Sequence, residues 1–312
     1  MAIDAVERGA MDRPTRTVFI CTTTKGGAGK TETADLLDGV FALAGNDPIL
    51  IDVDDGNRGL RRRVGKENVL PIPWTYGPSD APAWVASLGT SNRPIVFDLG
   101  AGISSSDTPV MAFLDVVWRM LFEQNAQIHV LAIVSTNAPC GNYIDALRYR
   151  YGKIANIVIV RNNQDGSRNF PAELVDGPER SLEVSYLTPG IQAVRLRESR
   201  RLSDLVRRPD LGYVLATSMI ANRVADFADH LKKASILDEA AHRNVVSYRQ
   251  TVAQGFYIIS SLARATDRAI HCNQQLEACH GKVLRADLGE EDAVALIEAY
   301  RAAMADHLAV IR

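Results

Sequence analysis

Short apolar runs alternate with longer amphipathic segments over much of this chain, and that alternation leaves few architectures open. Runs rich in Ile and Val lie at residues 17–21, 48–51, 94–97, 128–134 and 154–160, with a further short strand expected near 182–187. Helix-length segments lie between them at residues 30–44, 108–125 and 142–151. Continuous apolar runs are typical of strands covered on both faces, and the alternation favours βα units. The sequence therefore predicts an α/β fold with a doubly wound, mostly parallel sheet.

Composition and charge exclude several classes of protein. The chain has 312 residues, with 35 Lys and Arg against 37 Asp and Glu, so it is not polybasic as a whole and any DNA contact must come from a local patch. Its four cysteines are too few for a disulfide framework. Every apolar run is far shorter than the ~20 residues that span a bilayer. We expect a cytoplasmic protein that does not contact the membrane.

The character of the sequence changes along the chain. Residues 1–16 are small and charged, without an apolar stretch, and are predicted to form a flexible tail. Residues 235–312 contain no proline and no strand-like run, and their composition favours helices throughout. We therefore predict an α/β domain at residues 17–234 and a helical C-terminal extension at residues 235–312.

A glycine-rich segment between the first strand and the first helix carries the strongest functional signal. Residues 24–31 read Thr-Lys-Gly-Gly-Ala-Gly-Lys-Thr. Glycines let the backbone curl so that N–H groups face a phosphate, and the following helix N-terminus adds its positive dipole end. Lys30 would neutralise the β- and γ-phosphates and the Thr31 hydroxyl would bind Mg²⁺. The alternative is a turn with solvated lysines. The predicted binding residues are Lys25, Gly26, Gly27, Ala28, Gly29, Lys30, Thr31 and Glu32.

Carboxylates follow two of the predicted strands, where hydrolysis of a nucleotide would need them. The run 49–57 contains Asp52, Asp54 and Asp55 before Gly56 and Asn57, and the run 94–102 places Asp98 after four apolar or extended residues. A carboxylate at the carboxyl edge of a strand is typical of a residue that holds a Mg²⁺-bound water. Asp98 is therefore a predicted catalytic and metal-binding residue.

The glycine-rich segment resembles the deviant Walker A motif, KGGxGK[ST], of the ParA/MinD superfamily of P-loop ATPases. The usual phosphate-loop pattern has Gly one position before this motif, where this chain has Thr24. The resemblance implies an ATP-dependent homodimer in which Lys25 reaches the partner's phosphates. Residues 52–57 resemble the family's DxDPQGN switch motif with one residue missing, which implies that Asp54 acts on the attacking water and that Asp52 lies near Mg²⁺. Asp55 is the alternative to Asp54.

The same resemblance covers residues 17–234. It suggests which nucleotide base the protein binds and what cargo it acts on. Asn162 matches the family's adenine contact, with a turn-closing role as the alternative, and ATP is favoured because no NKxD guanine motif is present. Residues 185–189 and 194–199 resemble ParA, whereas 126–170 and 202–205 look more like TraL- and StbB-type ATPases. Arginines in this region bind DNA in ParA-type proteins. The corresponding candidates are Arg195, Arg197, Arg200, Arg201, Arg207 and Arg208.

The predicted function is an ATPase switch in plasmid partition, stability or conjugative transfer, with non-specific DNA binding in the ATP state and an adaptor of the ParB or StbA kind. Lys25, Lys30, Asp54 and Asp98 are its predicted catalytic residues, and Thr31, Asp52 and Asp98 its metal ligands. The main alternative is a MinD-like or secretion-associated protein-positioning ATPase without DNA binding, in which the arginines form a solvated helix face. A degenerate nucleotide-binding scaffold is a third.

Overall fold

The fold was analysed on a computed structural model. The structure describes residues 16–53, 58–100, 103, 108–136, 141–171, 174, 181–198, 200–207 and 214–251, and of residues 194, 196–198, 214 and 215 the backbone alone. The predicted switch residues Asp54 and Asp55, most of the predicted tail and residues 252–312 of the predicted extension lie outside this range.

Seven parallel strands form one sheet, in the order β3-β2-β4-β1-β5-β6-β7. The first strand, β1, is central, and the chain builds outward from it in both directions, which confirms the doubly wound parallel prediction. The strands are β1 Arg16–Thr22, β2 Ile49–Asp52, β3 Val69–Pro71, β4 Ile95–Asp98, β5 Ala126–Ser135, β6 Asn156–Asn162 and β7 Ser181–Val184.

The helices connect these strands and continue after the last one. They are α1 Lys30–Leu43, α2 Gly59–Val64, α3 Ala81–Ser87, α4 Pro109–Glu123, α5 Gly141–Tyr151, α6 Pro189–Glu198, α7 Leu202–Arg207 and α8 Val214–Lys233, and residues 239–251 are helical and are named α9. Within the described range, each helix is too short or too polar to cross a membrane.

One hydrophobic core lies under α3 and α4, where their apolar faces cover the sheet. Phe97 on β4 and Trp118 on α4 are almost fully buried, with an edge-to-face ring contact at 6.0 Å between centroids. Trp118 makes a second such contact with Tyr151 of α5 at 5.4 Å. Such aromatic pairs contribute about 0.5–1.5 kcal/mol beyond the area they bury. This core supports the strands whose carboxyl ends carry the predicted acidic residues.

The described residues fall into two compact units. The first comprises residues 16–37 and 46–186 and contains the whole sheet. The second comprises residues 38–45 and 187–251, which are the last part of α1 and helices α6 to α9. In this second unit Asp38, fully buried, accepts hydrogen bonds from Nε of Arg201 at 3.0 and 3.1 Å. The unit is thus organised around a buried ion pair as well as apolar contacts.

Candidate functional site

The glycine-rich loop lies at the carboxyl edge of the sheet, between β1 and α1. Gly27 has φ of 77° and Gly29 has φ of 102°, so both occupy the left-handed region in which a side chain is strained. The backbone N–H of Thr33 donates to the Gly29 carbonyl at 2.9 Å, which is the first helical hydrogen bond of α1. The loop therefore has the curled backbone that the sequence predicts, and it leads directly into a helix N-terminus.

Two side-chain amides from the end of β6 hold consecutive carbonyls of this loop. Nδ2 of Asn162 donates to the Ala28 carbonyl at 2.8 Å, and Nε2 of Gln164 donates to the Gly27 carbonyl at 2.5 Å. In a planar trans peptide the N–H points opposite to the preceding carbonyl. The N–H groups of Ala28 and Gly29 therefore face away from these amides, as donors that an anion can use.

The two lysines of the loop have different surroundings. Lys30, at the first position of α1, is only 8% exposed. Lys25 is exposed at the front of the loop, where its backbone N–H lies 3.5 Å from Oγ1 of Thr23. Glu32 is half-buried in the first turn of α1. Lys30 thus belongs to the interior of the site, and the side chain of Lys25 can reach outward.

The predicted metal ligands meet where β2 and β4 end. Asp52 and Asp98 are register partners on these adjacent strands. The hydroxyl of Thr31 donates to Oδ2 of Asp98 at 2.7 Å, and Oδ2 of Asp52 accepts the backbone N–H of Arg61 at 3.2 Å. A Cβ on Gly59 would lie 3.0 Å from Oγ1 of Thr31, so the start of α2 also approaches this point.

These donors fit a magnesium ion that also binds phosphate. Mg²⁺ prefers oxygen ligands and takes one or two carboxylates, with water and substrate phosphate completing its octahedron. Thr31, Asp52 and Asp98 supply a hydroxyl and two carboxylates at one edge of the sheet. Among the described residues, no group of three or more His, Cys, Asp and Glu side chains is placed to hold a metal ion.

Cys21, the last residue of the first predicted apolar run, lies next to this arrangement. Its register partner on β4 is Asp98. Burial raises the pKa of the thiol well above its usual value, and the negative charge of Asp98 raises it further, while the Lys30 charge acts in the opposite direction. The thiol is thus held neutral between the two charged groups.

Asn162, the predicted adenine contact, lies against the phosphate loop. Its side chain is fully buried, and a Cβ on Gly29 would lie 1.9 Å from its Nδ2. It packs on the backbone of the phosphate loop, in the space that the missing side chain of Gly29 leaves. Gln164, two residues further on, was not singled out from the sequence. The signal that could have found it is the second amide side chain immediately after β6.

Among the candidate DNA-binding arginines whose side chains the structure describes, three are buried or bonded within the chain rather than aligned on an exposed stripe. Arg195 is buried, with 4% of its surface exposed. Arg201 is paired with Asp38, and Arg207 donates to the Ala42 carbonyl at the end of α1. Arg200 is half-buried, and neither Arg208 nor the side chain of Arg197 belongs to the described part. The spacing of these arginines reflects contacts within the second unit at the positions where they can be followed.

The sheet order, with the glycine loop between β1 and α1 and an acidic residue at the end of the neighbouring β4, defines a P-loop NTPase α/β fold. A scan against models of protein families finds no match to the sequence, and a search of curated proteins finds no significant one.

Solved structures with a similar fold are found at low sequence identity. A nucleotide-binding protein from Archaeoglobus fulgidus in complex with ADP is 15% identical (TM-score 0.40), over 59% of this chain and 86% of that one. A ParA family ATPase from Chlorobium tepidum is 17% identical (TM-score 0.44), over 67% and 97%. A chain of the MinC:MinD cell division protein complex from Aquifex aeolicus is 16% identical (TM-score 0.46), over 72% and 99%. At these identities the likeness concerns the fold alone.

Proposed function

We propose that this chain is a magnesium-dependent ATPase that works as a dimerisation switch. The observation that carries the proposal is the 2.7 Å hydrogen bond between Thr31 and Asp98 beside the phosphate loop. It brings a hydroxyl at the N-terminus of α1 to a carboxylate at the end of β4, the arrangement that P-loop NTPases use for Mg²⁺. The ion, when bound, neutralises charge that develops on the phosphates.

Each residue of the site then has a role that its position allows. The backbone N–H groups of Ala28 and Gly29 bind phosphate oxygens, and the half of the loop that carries Gly26 encloses them. Lys30 neutralises the β- and γ-phosphates from inside the site. Thr31 and Asp98 hold the metal, with Asp52 oriented by the N–H of Arg61 beside them.

Lys25 makes hydrolysis depend on dimerisation. Its exposure at the front of the loop suits a cation that acts on the phosphates of a second copy of the chain. A charge supplied in trans stabilises the transition state only when two copies meet. Asp54, outside the described residues, is proposed to orient the attacking water, with Asp55 as the alternative.

The cargo of the switch is the second part of the proposal. The plasmid role with non-specific DNA and an adaptor of the ParB or StbA kind requires an exposed basic surface. Arg195, Arg201 and Arg207 are instead buried or bonded within the second unit, and this observation favours the alternative, a protein-positioning ATPase without DNA binding. DNA binding would then depend on Arg197, Arg200 and Arg208.

Calorimetry with ATP, with and without Mg²⁺, tests the core of the proposal, together with a phosphate-release assay. We expect Mg²⁺-dependent binding that Lys30→Ala abolishes. Lys25→Ala should retain binding and lose hydrolysis, because its charge acts only across the dimer. Lys153→Ala, an exposed lysine after α5, is the matched control and should behave as wild type. Absence of ATP binding by the wild-type chain would overturn the proposal.

Binding to non-specific duplex DNA separates the two cargo hypotheses. It is measured with ATP and with ADP, at two salt concentrations, because phosphate contacts weaken steeply with salt. Salt-sensitive binding only with ATP, weakened in the Arg197→Ala, Arg200→Ala double variant, would support the plasmid role. Measurable ATP affinity without DNA binding in either state would support the protein-positioning role.

A further inference from the structure

We propose that Asn162 and Gln164 are positioning residues that hold the phosphate loop in its binding conformation, and that they act on the phosphates of the nucleotide rather than on its base. This inference rests on the proposed nucleotide binding and deepens it. It replaces the adenine contact that the resemblance implied for Asn162, and it gives Gln164 a role that the sequence did not suggest.

The surroundings of Asn162 point to the loop. The side chain is fully buried, and its Nδ2 already donates to the Ala28 carbonyl at 2.8 Å. The backbone of Gly29 is also close, since a Cβ built there would lie 1.9 Å from Nδ2. Oδ1 of Asn162 is buried without a hydrogen-bond partner among the described residues, so the donor of this amide is engaged by the loop backbone.

Gln164 makes the matching contact one residue earlier in the loop. Its Nε2 donates to the Gly27 carbonyl at 2.5 Å, although the residue itself is exposed. Two amides, two residues apart in the chain, thus hold two consecutive carbonyls. A glycine-rich loop has many accessible conformations, so fixing both carbonyls selects one orientation of its peptide groups.

The orientation selected is the one that anion binding needs. Holding the carbonyls of Gly27 and Ala28 toward β6 turns the next two N–H groups to the opposite side. These are donors to phosphate oxygens, and their alignment before the ligand arrives reduces the entropy that binding must offset. The amides therefore affect phosphate affinity without touching a phosphate.

The amides themselves stand on a fixed base. Asn162 is the last residue of β6 and is paired with Ser135 on one side and Val184 on the other. Beyond it, the Asn163 N–H donates to the Val184 carbonyl and the Gln164 N–H to the Asn162 carbonyl, each at 3.0 Å. Through these two residues, the sheet fixes the position of the loop.

Substitution of each amide by a neutral side chain of similar shape tests the proposal. Asn162→Leu and Gln164→Met remove the amide donor without placing a charge beside the phosphates. The probes are inorganic tripolyphosphate, ATP and GTP, each with Mg²⁺, in calorimetry on the full chain. Gln192→Met is the control, because Nε2 of Gln192, in α6, also donates to a backbone carbonyl, that of Leu187 at 3.1 Å.

We expect each variant to lower the affinity for tripolyphosphate and for ATP by the same factor of about ten, equivalent to ~1.4 kcal/mol, and to leave the ATP-to-GTP affinity ratio unchanged. Gln192→Met should change neither value. Unchanged tripolyphosphate affinity, or a loss confined to ATP, would overturn the proposal and return Asn162 to the base.

Two further measurements distinguish a failure of the positioning role from a failure of the proposed function. Circular dichroism and thermal unfolding establish that each variant is folded, and if Asn162→Leu is not, the exposed Gln164→Met decides alone. If the wild-type chain binds neither ATP nor tripolyphosphate, the proposed function itself fails. If it binds both and the variants bind equally well, only the positioning role fails.

Discussion

The hydroxyl of Thr31 donates a 2.7 Å hydrogen bond to Oδ2 of Asp98. The bond joins the first turn of α1 to the end of β4, so the helix that follows the phosphate loop is fixed to the strand that carries the proposed metal ligand. The two residues are 67 positions apart in the chain. Their proximity depends on β1 and β4 being neighbours in the sheet, with Cys21 opposite Asp98.

Replacement of Thr31 should weaken ATP binding in the presence of Mg²⁺ much more than in its absence. Thr31→Ala removes the hydroxyl, and we expect it to lower Mg²⁺-ATP affinity at least about tenfold, because an oxygen ligand and a hydrogen bond to Asp98 are both lost. Binding of ATP in EDTA should change much less. Thr31→Ser retains the hydroxyl and is the control. Equal losses with and without Mg²⁺ would contradict the assigned role.

The two glycines with positive φ should respond differently to alanine. A Cβ at Gly27 meets no atom within 4 Å, so Gly27→Ala adds only the strain of a left-handed residue, about 1–2 kcal/mol of unfolding free energy. Gly29→Ala adds a clash, because the Cβ would lie 1.9 Å from Nδ2 of Asn162. We expect the larger loss of stability for Gly29→Ala in urea unfolding.

A double variant checks the cause of that difference. If the clash with the amide is responsible, Asn162→Ala should recover part of the stability lost in Gly29→Ala. Effects of the two substitutions that simply add would show that the strain lies in the backbone alone.

The buried ion pair of the second unit should be sensitive to the loss of one partner. Arg201→Met leaves Asp38 charged and fully buried, which costs about 3–5 kcal/mol. The double variant Asp38→Leu, Arg201→Met removes both charges and should recover most of that loss. Both values come from urea unfolding.

Arg148 provides the matched surface control. It forms an ion pair with Asp145 in which the side chains are 44% and 69% exposed, and such pairs contribute about 0–1 kcal/mol. A loss in Arg148→Met as large as that in Arg201→Met would show that the comparison reports arginine packing rather than charge burial.

The thiol of Cys21 should make stability fall at alkaline pH. Its pKa is raised in the folded state by burial and by Asp98, whereas in the unfolded chain it ionises near pH 8.5. The folded chain therefore retains a proton that the unfolded chain loses. The contribution of Cys21 to stability is fully present below about pH 8.5 and decreases above it, with a slope of up to ~1.4 kcal/mol per pH unit.

Unfolding free energies of wild type and Cys21→Ala between pH 7 and 10.5 measure this effect. The tyrosines whose pKa burial also raises, Tyr151 and Tyr248, are present in both proteins and cancel in the comparison. We expect the wild-type curve to fall more steeply above pH 9. Parallel curves of unfolding free energy for the two proteins over this pH range would contradict the predicted effect of Cys21.

The sheet was predictable from sequence wherever a strand is buried on both faces. Five of the strands described follow from Ile- and Val-rich runs, and β7 from the short strand expected near residues 182–187, within a few residues at each end. The exception is β3, which has three residues, among them Pro71 and a half-exposed Leu70, and so leaves no continuous apolar run. Helix α3, Ala81–Ser87, has a proline in its first turn and lies outside the helix-length segments predicted from the sequence.

The candidate site was predictable as far as its residues follow local motifs. The curled loop and the approach of Thr31 to Asp98 follow from a glycine-rich turn and an acidic strand end. The amide contacts of Asn162 and Gln164 do not, because their partners in the loop lie 134 and 137 residues earlier in the chain. Only the folded sheet brings the end of β6 close to that loop. The same holds for the candidate DNA-binding arginines. The local sequence shows a cluster of positive charges, but it does not show that Asp38, far away in the chain, binds Arg201.

The outermost strand on one side of the sheet also bears on how the protein behaves at high concentration. Because β3 has only three residues and ends at Pro71, which has no N–H to donate, an extended chain from another molecule would find few partners along that border. The border is a poor template for the edge-to-edge growth that begins many aggregates. A proline at this position therefore disfavours self-association through this edge of the sheet.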